Sequence, residues 1–311
     1  MPAYELNDRL VVGVASSALF DLAESDAYFR EHGEAAYAEY QNSNIDVSLP
    51  PGPAFPFIKR LLTLNDLRPR DPLVEVIVLS RNDASTGLRV MRSIERHALG
   101  VTRALFMQGG SPLDYIPALG MSLFLTSNLD DVLTAVRAGH PAGHVLPNTA
   151  AYDDSDRQLR IAFDFDAVLA TDESERVYQS EGMDGFVANE VAKREVAHAP
   201  GLLQPLVADL NRIQRLEQER QAKEPSYEPR LRIALVTARA APAHERAVNS
   251  LRSWGVTVND AFFLGGIEKA KVLQVMQPHL FFDDQDVHLS GAVEHVAGVH
   301  VPYGVANEKL F

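Results

Sequence analysis

Two aspartates close an apolar segment near the middle of the chain. Asp164 and Asp166 lie within the run from Arg160 to Leu169, which is otherwise built mainly from Ile, Ala, Phe, Val and Leu. A buried strand normally excludes Asp, because an unpaired carboxylate in an apolar setting is costly in free energy. Two carboxylates at the end of such a strand therefore indicate a bound cation, for which Mg²⁺ is the natural candidate.

Three further strand ends in the second half of the chain carry polar residues. The second predicted strand ends at Thr237-Ala238-Arg239, the third is followed by Gly265-Gly266 and Lys269, and the fourth ends at Asp283-Asp284. Ligands of an open parallel sheet bind beyond the carboxyl ends of its strands, so these side chains are expected to converge. The sequence thus predicts one site, whose residues follow one another along the chain as an aspartate pair, a threonine, a lysine and a second aspartate pair.

The composition limits the classes of function. The chain has 311 residues, 46% of them hydrophobic, which is enough for two domains of ordinary size. It contains no cysteine, which excludes a disulfide framework and thiolate zinc sites and fits a reducing cytoplasm. The formal net charge of −13 argues against nucleic acid or an anionic membrane surface as a partner, since both select for clustered Lys and Arg.

No segment of the sequence predicts export or a membrane span. The one early apolar run, Leu10 to Phe20, follows acidic residues, contains two serines and is too short to cross a bilayer. We expect it to be a strand. The sequence therefore predicts a soluble, unexported protein located in the cytoplasm.

The two halves of the chain repeat one plan. Positions of the first half recur in the second at a spacing of 149 residues before the charged stretch Leu216 to Arg230 and of 157 residues beyond it. The matched pairs include Gly33 and Gly182, Pro51-Gly52 and Pro200-Gly201, and Val78-Leu79-Ser80 and Leu235-Val236-Thr237. Matched glycines and prolines at a fixed spacing favour an internal duplication over chance similarity between two α/β domains.

Short apolar runs alternate with amphipathic segments, which predicts an α/β fold with parallel sheets flanked by helices. We expect two Rossmann-like units, one in residues 1–150 and one in residues 151–311. In each unit the segment between the first two strands, residues 21–73 and 172–231, is too long for a plain crossover. These two insertions are expected to form helical caps.

The first half lacks the chemical residues of the second. The positions that match the two aspartate pairs are Ala15, Ser17 and Thr126-Ser127, and no lysine matches Lys269. A unit without these carboxylates and this ammonium group cannot run the chemistry expected of the second half. The first half is therefore expected to be a degenerate, non-catalytic unit that completes the pocket or a dimer.

The pattern of the second half resembles the haloacid dehalogenase-like phosphohydrolases, whose four motifs are Asp-x-Asp-x-Val, a strand-end Thr, a Lys after the third strand and a terminal Asp-Asp. The resemblance implies that Asp164 is the nucleophile, which forms an aspartyl phosphate. It implies that Asp166 protonates the leaving alkoxide and then activates water. Thr237 and the Ala238 amide would hold the phosphoryl oxygens.

The same resemblance implies how charge is balanced at the site. Lys269 would neutralise negative charge on both the phosphate and the nucleophile, as a catalytic and a phosphate-binding residue. A magnesium ion would be held by oxygen ligands from both aspartate pairs. The implied metal ligands are Asp164, Asp166, Asp283 and Asp284.

Longer segments resemble one branch of that superfamily, the cytosolic 5′-nucleotidase type I family, across nearly the whole chain. They are Ser16 to Asp21, Pro51 to Phe55, Gly109 to Pro112, Ala162 to Glu175, Leu235 to Arg239 and Pro278 to Asp284. The resemblance implies an Mg²⁺-dependent 5′-nucleotidase that hydrolyses nucleoside 5′-monophosphates. Two alternatives stay open: a phosphatase for another small phosphomonoester such as a sugar phosphate, and a non-catalytic nucleotide-binding or assembly module. A homo-oligomer is possible.

Two further features have open or structural interpretations. Phe165 stands where the family resemblance leads us to expect Gly, and it either stacks on a base or packs beneath the cap. Four histidines near the last motif lack the spacing of a metal-binding pair on one helix face and are interpreted as structural. They are His279, His288, His295 and His300, the last of which is expected in a strand.

Overall fold

The chain folds into two compact α/β units. The computed structural model describes residues 4–150, 152–153 and 155–311. The first unit ends at Asp131 and the second runs from Val132 to Phe311. In both, mostly parallel strands are flanked by helices, so the predicted α/β class is confirmed.

The first unit has four parallel strands in its described residues, in the order β3-β2-β1-β4. Its elements are β1 (Leu10–Ala15), α1 (Ser16–Leu19), α2 (Ala23–Ser43), α3 (Phe55–Thr63), a 3₁₀ helix (Leu64–Leu67), β2 (Val74–Ser80), α4 (Leu88–Arg96), β3 (Arg103–Phe106), α5 (Tyr115–Ala118) and β4 (Leu123–Thr126). Helix α6 (Leu129–Arg137) begins in this unit and ends in the second. The run from Leu10 to Phe20, predicted to be one strand, is a strand only to Ala15 and then turns into α1.

The second unit has six strands in its described residues, in the order β5-β10-β9-β6-β7-β8. Its elements are β5 (Ala142–Val145), β6 (Leu159–Phe163), α7 (Glu173–Ala192), α8 (Gln204–Lys223), β7 (Leu231–Thr237), α9 (His244–Ser253), β8 (Asp260–Phe263), α10 (Lys269–Met276), β9 (Leu280–Asp283), α11 (Asp286–Ser290), β10 (Gly298–His300) and a 3₁₀ helix (Val305–Leu310). All pairs are parallel except β5 with β10.

Strand β5 belongs to the sheet of the second unit although it precedes residue 150. His144 pairs with His300 across the antiparallel strands β5 and β10. The prediction that His300 lies in a strand is confirmed. The compact second unit begins at Val132. The boundary near residue 150, which marks the start of the repeated segments, stays a prediction.

The central strands of the second unit are apolar on both faces. The side chains of Ile161, Ala162 and Phe163 in β6 are buried, as are those of Leu280, Phe281 and Phe282 in β9. The rings of Phe163 and Phe282 stack with centroids 4.9 Å apart. Strands covered on both faces read as continuous apolar runs, which is why the first polar residue after each run marks the end of a strand.

Two of the longer helices lie between corresponding central strands in each unit: α2 and α3 between β1 and β2, and α7 and α8 between β6 and β7. Both long helices bend at a glycine with positive φ, Gly33 (φ 78°) in α2 and Gly182 (φ 71°) in α7. A residue with a side chain rarely adopts this backbone conformation, so glycine permits the bend. Among the described residues, no helix has both the length and the apolar character that a membrane crossing requires.

A second pair of glycines closes the same backbone turn in both units. Gly52 N donates to Leu19 O at 2.9 Å, and Gly201 N donates to Leu169 O at 2.7 Å. Isolated bridges join Phe20 to Pro51 and Ala170 to Pro200 beside these turns. The two units therefore share backbone devices as well as the strand orders β3-β2-β1-β4 and β8-β7-β6-β9.

Backbone atoms lie so close to Gly201 that a side chain at this position is expected to destabilise the protein. A Cβ at this position would lie 2.4 Å from Ala170 O and 2.8 Å from Val168 O, both backbone atoms that cannot rotate away. Gly201→Ala should lower the free energy of unfolding by about 1–3 kcal/mol, measured by urea denaturation. Gly291→Ala is the control, because its nearest contact would be 3.8 Å away. Equal stability of the two variants would contradict this account of the turn.

Candidate active site

The polar residues predicted at or after four strand ends lie at the carboxyl ends of the strands of the second unit. Asp164 directly follows β6, Thr237 is the last residue of β7, and Asp283 is the last residue of β9. Lys269 is the first residue of α10, after the loop that leaves β8. Because β9, β6, β7 and β8 are adjacent and parallel, their carboxyl ends meet at the same edge.

A buried ammonium group joins two of the aspartates. Lys269 Nζ lies 3.0 Å from Asp164 Oδ1 and donates a hydrogen bond of 2.7 Å to Asp283 Oδ2. All three side chains are at most 6% exposed. Burial alone would lower the pKa of Lys269, but the two carboxylates raise it above its ordinary value. The lysine is therefore held in its charged form between the carboxylates.

Three carboxylates cluster around this lysine. One oxygen each of Asp164, Asp283 and Asp284 lies within 4.8 Å of the others, and all three side chains are buried. Asp284 Oδ1 has no hydrogen-bond partner in the described part of the chain. A buried carboxylate oxygen without a partner is costly, and a set of oxygen donors alone suits a hard divalent cation. These residues therefore fit a divalent metal site.

Burial and mutual repulsion change the acidity of the cluster. Burial raises the pKa of Asp164 to about 6, against the opposing effect of the Lys269 ammonium. Burial also raises the pKa of Asp284 well above its ordinary value. Burial would raise the pKa of Asp283 as well, but the Lys269 ammonium outweighs it and holds that pKa low. The cluster thus carries more negative charge than one ammonium group balances.

Asp166 lies apart from this cluster, because its carboxylate is paired with Arg239. Arg239 Nε donates to Asp166 Oδ2 at 2.8 Å, and Arg239 Nη2 donates to Asp166 Oδ1 at 2.7 Å. The sequence pattern included Arg239 but assigned it no role. Its position directly beyond the end of β7 indicated that Arg239 lies near the site. Its role could not be predicted, because its acidic partners are remote in the chain.

A cavity of about 450 Å³ opens beside these residues within the second unit. Asp164, Asp166, Thr237 and Ala238 line it, so the predicted nucleophile, the predicted acid and two of the three predicted phosphate ligands share one space, whereas Lys269 is not among the lining residues. The remaining lining residues are Glu175, Tyr178, Met183, Phe186, Val187, Arg239, Ala240, Ala241, Ala243, Gly265, Gly266, Gln285 and His288. The cavity therefore has a charged end at the strand edge and a largely apolar wall from α7.

His288 lies at the cavity although its spacing in the sequence led to a structural interpretation. Its Nδ1 is 3.1 Å from Asp283 Oδ1 and its side chain is partly exposed to the cavity. The amide of Gln285 donates to the same oxygen at 2.9 Å. Asp283 is thus oriented by three groups, of which the sequence pattern identified only Lys269. Helix-face spacing missed His288, because its partner lies at the end of a strand.

Phe165 packs inside the unit and does not line the cavity. Its side chain is fully buried, its ring stacks on Trp254 with centroids 5.9 Å apart, and it meets His198 edge-on at 5.3 Å. Of the two interpretations left open, packing beneath the inserted helices is the one that the contacts support. The ring also lies under Arg239, whose Cζ is 5.0 Å from its centroid.

Comparison with known proteins agrees with the geometry. A family model described as 5′-nucleotidase matches residues 2–308. Human cytosolic 5′-nucleotidase 1B is 33% identical over 291 residues, which are 92% of this chain and 47% of the relative, so the chain spans about half of that protein's length. No solved structure matches the chain significantly. The family resemblance found in the sequence is confirmed: the chain belongs to the 5′-nucleotidase family.

Proposed function

We propose that this protein hydrolyses nucleoside 5′-monophosphates to nucleoside and phosphate through an aspartyl phosphate on Asp164. The observation that carries the proposal is the buried Lys269 ammonium, which lies between Asp283 and Asp164, and Asp164 lines the cavity. A carboxylate repels a dianionic phosphate unless positive charge compensates it, and Lys269 supplies that charge. The name of the human relative, a cytosolic 5′-nucleotidase, supports the substrate class.

The proposed reaction has two displacements at phosphorus. In the first, an Asp164 oxygen forms a bond to phosphorus, the bond from phosphorus to the nucleoside oxygen breaks, and Asp166 gives its proton to that oxygen. In the second, water attacks the phosphoryl group, Asp166 accepts a proton from it, and the bond from phosphorus to Asp164 breaks. Thr237 and the Ala238 amide are proposed to hold the phosphoryl oxygens.

The proposed cofactor is Mg²⁺, held by Asp164, Asp283 and Asp284. When bound there, Mg²⁺ supplies positive charge against the phosphoryl oxygens and the nucleophile. The all-oxygen donor set and the unpartnered Asp284 oxygen support this choice. A direct metal contact by the Asp166 side chain stays a prediction, since that carboxylate is engaged by Arg239.

The wall of the cavity formed by α7 is proposed to bind the nucleoside. Tyr178, Met183, Phe186 and Val187 line it, and the Tyr178 and Met183 side chains are 44% and 59% exposed. Exposed aromatic and thioether groups beside a cavity can stack on a base. This assigns the cap role expected of residues 172–231 to α7.

The first unit is proposed to be a non-catalytic duplicate of the second. Ala15, Ser17 and Thr126 occupy the positions of the nucleophile, the acid and the metal-binding aspartate. The shared strand order and the shared glycine turns support the duplication. The relative's name supports a cytosolic location, and assembly into a homo-oligomer stays a prediction.

The role of Lys269 can be tested by removing its charge. Lys269→Met should lower kcat with AMP, IMP and other nucleoside monophosphates by about a hundredfold, because the nucleophile and the phosphate then repel each other. Phosphate release under saturating substrate measures the effect, and Asp164→Asn should abolish turnover. Lys271→Met, on the exposed side of the same helix, is the control. An unchanged rate in Lys269→Met would remove this residue from the mechanism.

Metal binding can be tested without turnover. Mg²⁺ at a hundred times its Kd should stabilise the folded protein by about 2.7 kcal/mol, measured as a rise in unfolding temperature. Asp284→Asn should remove most of this shift, because it withdraws a buried anionic ligand. Asp184→Asn, an exposed position in α7, should retain it. If Mg²⁺ raised the unfolding temperature of Asp284→Asn as much as that of the wild type, the proposed ligand set would be contradicted. In a separate activity measurement, EDTA should abolish hydrolysis by the wild type.

The nucleoside wall separates a nucleotidase from a sugar phosphatase. Tyr178→Ala should raise KM for nucleoside monophosphates about tenfold, since stacking of a base on an aromatic ring contributes about 1–3 kcal/mol. KM for ribose 5-phosphate should stay the same, and Tyr178→Phe should behave as wild type. Preference of the wild type for ribose 5-phosphate over every nucleotide would favour the alternative function.

A further inference from the structure

Arg239 is the centre of a buried ion-pair network in the second unit. Besides its two bonds to Asp166, Arg239 Nη2 donates to Ser174 Oγ at 2.8 Å, and Nη1 donates to Ala243 O at 3.1 Å and to Glu190 Oε2. The side chain is 2% exposed. These acceptors use all five N–H donors of the guanidinium group. Arg239 therefore has no donor left for a phosphate, although its charge and its place beside the cavity would suggest that role.

The planar group of Arg239 is held in a fixed orientation. Its Cζ lies 5.0 Å from the Phe165 ring centroid and 5.3 Å from that of Phe186. Aromatic rings at these distances attract the cation and restrict its movement. The Arg239 guanidinium group donates two parallel hydrogen bonds to Asp166. Because the guanidinium group is itself restricted, these bonds fix both the position and the plane of the Asp166 carboxylate.

Glu190 braces this arginine from the side opposite Asp166. Glu190 is itself bound by Arg246, whose Nη1 donates to Glu190 Oε1 at 2.9 Å, and by Ser174 Oγ at 2.9 Å. Its side chain is fully buried. Burial would raise the pKa of Glu190, but the His198 hydrogen bond and the Arg239 guanidinium outweigh it and hold that pKa well below its ordinary range. Glu190 is thus a fixed anion between two arginines.

The first unit has no aspartate at the position that matches Asp166, so the residues around that position can be compared between the two units. The positions that match Asp166, Arg239 and Glu190 are Ser17, Asn82 and Gln41. Among the charged residues of the network described above, Arg246 alone has a charged counterpart there, Arg89, whose Nη1 donates to Gln41 Oε1 at 3.2 Å. The extra arginine and the two acids therefore occur together in the unit that has Asp164, and they are replaced together in the unit that lacks it.

We infer that Arg239, braced by Glu190, positions Asp166 for proton transfer during hydrolysis, an inference that rests on the proposed function. Each Asp166 oxygen accepts one bond from Arg239 and keeps a further lone pair. Asp166 also lines the cavity, so that lone pair is available to carry the proton that passes to the leaving oxygen. Arg239 and Glu190 are positioning residues and act only through Asp166.

A double-mutant cycle tests the inference. Arg239→Lys keeps the charge but cannot form the two parallel bonds, and should lower kcat for nucleoside monophosphates about a hundredfold with little change in KM. Asp166→Asn should lower kcat to a similar degree. The double variant should be no slower than Asp166→Asn alone, because the arginine acts through the carboxylate. If the loss of kcat in the double variant were the product of the two single losses, the inference would be overturned.

A change of leaving group provides a second test. If Arg239 had only a structural role, its substitution would lower the rate equally for all leaving groups. p-Nitrophenolate leaves without a proton, so Arg239→Lys should lose much less in single-turnover phosphoryl transfer from p-nitrophenyl phosphate than from a nucleoside monophosphate. Equal losses with both substrates would contradict the positioning role. Arg232→Lys is the matched control, because Arg232 also binds a carboxylate, Asp260, through Nε and Nη2 but lies outside the cavity.

The outcomes separate this inference from the proposed function. A wild-type protein that releases phosphate from no phosphomonoester refutes the function itself. An active wild type with multiplied effects refutes only the inference. If Arg239→Lys does not fold, as judged by thermal unfolding, the same cycle is run with Glu190→Gln, which keeps the shape of the side chain. Glu190→Gln should cost about tenfold in kcat, and nothing further in the Asp166→Asn background.

Discussion

The proposed chemistry of the second unit depends on one buried cation, the ammonium group of Lys269. Without it, Asp164 and Asp283 would be two anions in a space that water barely reaches, a situation that costs several kcal/mol per group. With it, each carboxylate has a partner within 3.0 Å. The balance is incomplete, since Asp284 adds a third carboxylate to one positive charge. Burial, with a smaller contribution from the neighbouring carboxylates, raises the pKa values of Asp164 and Asp284, and a divalent cation would favour their charged forms.

The charged groups of the site form two separate systems. One joins Lys269 to the carboxylates at the ends of β6 and β9, where the nucleophile and the proposed metal lie. The other joins Asp166 through Arg239 to Glu190 and so connects the end of β7 to α7. Separation has a physical advantage, because the two aspartates need opposite properties. In the proposed mechanism Asp164 remains an anion close to a cation, whereas Asp166 gives and takes a proton.

The sequence predicted the residues at strand ends because their placement follows from simple rules. An apolar run that stops at a carboxylate is a strand that reaches the sheet edge, and neighbouring parallel strands bring such ends together. Asp164, Thr237, Lys269 and Asp283 were found in this way. The α/β class was predictable for the same reason. Strand β5 was not predicted, because four residues carry too little pattern to identify a strand or its partner.

Residues whose role depends on remote partners could not be found by these rules. Arg239 and Glu190 are 49 residues apart, and nothing in the local pattern of α7 distinguishes Glu190 from the exposed acids beside it. His288 was set aside by a rule for pairs on one helix, although its partner is a strand residue. Phe165 was assigned two possible environments because the strand end alone does not show whether a ring turns toward the cavity or the core.

The comparison of the two units within one chain recovers part of what the single pattern missed. Positions that meet a backbone requirement are the same in both, such as the glycines that bend the long helices and the serine that caps a buried loop. Ser93 Oγ accepts from Leu49 N, and Ser250 Oγ accepts from His198 N, at equivalent positions. The buried charges near Asp166 differ in part, since Arg246 has the counterpart Arg89 but Arg239 and Glu190 have no charged counterparts in the first unit. Their absence from the unit that lacks the aspartates fits a role in the proposed chemistry. By this criterion Arg239 and Glu190 belong with the nucleophile and the lysine, and the packing that surrounds them belongs to the fold.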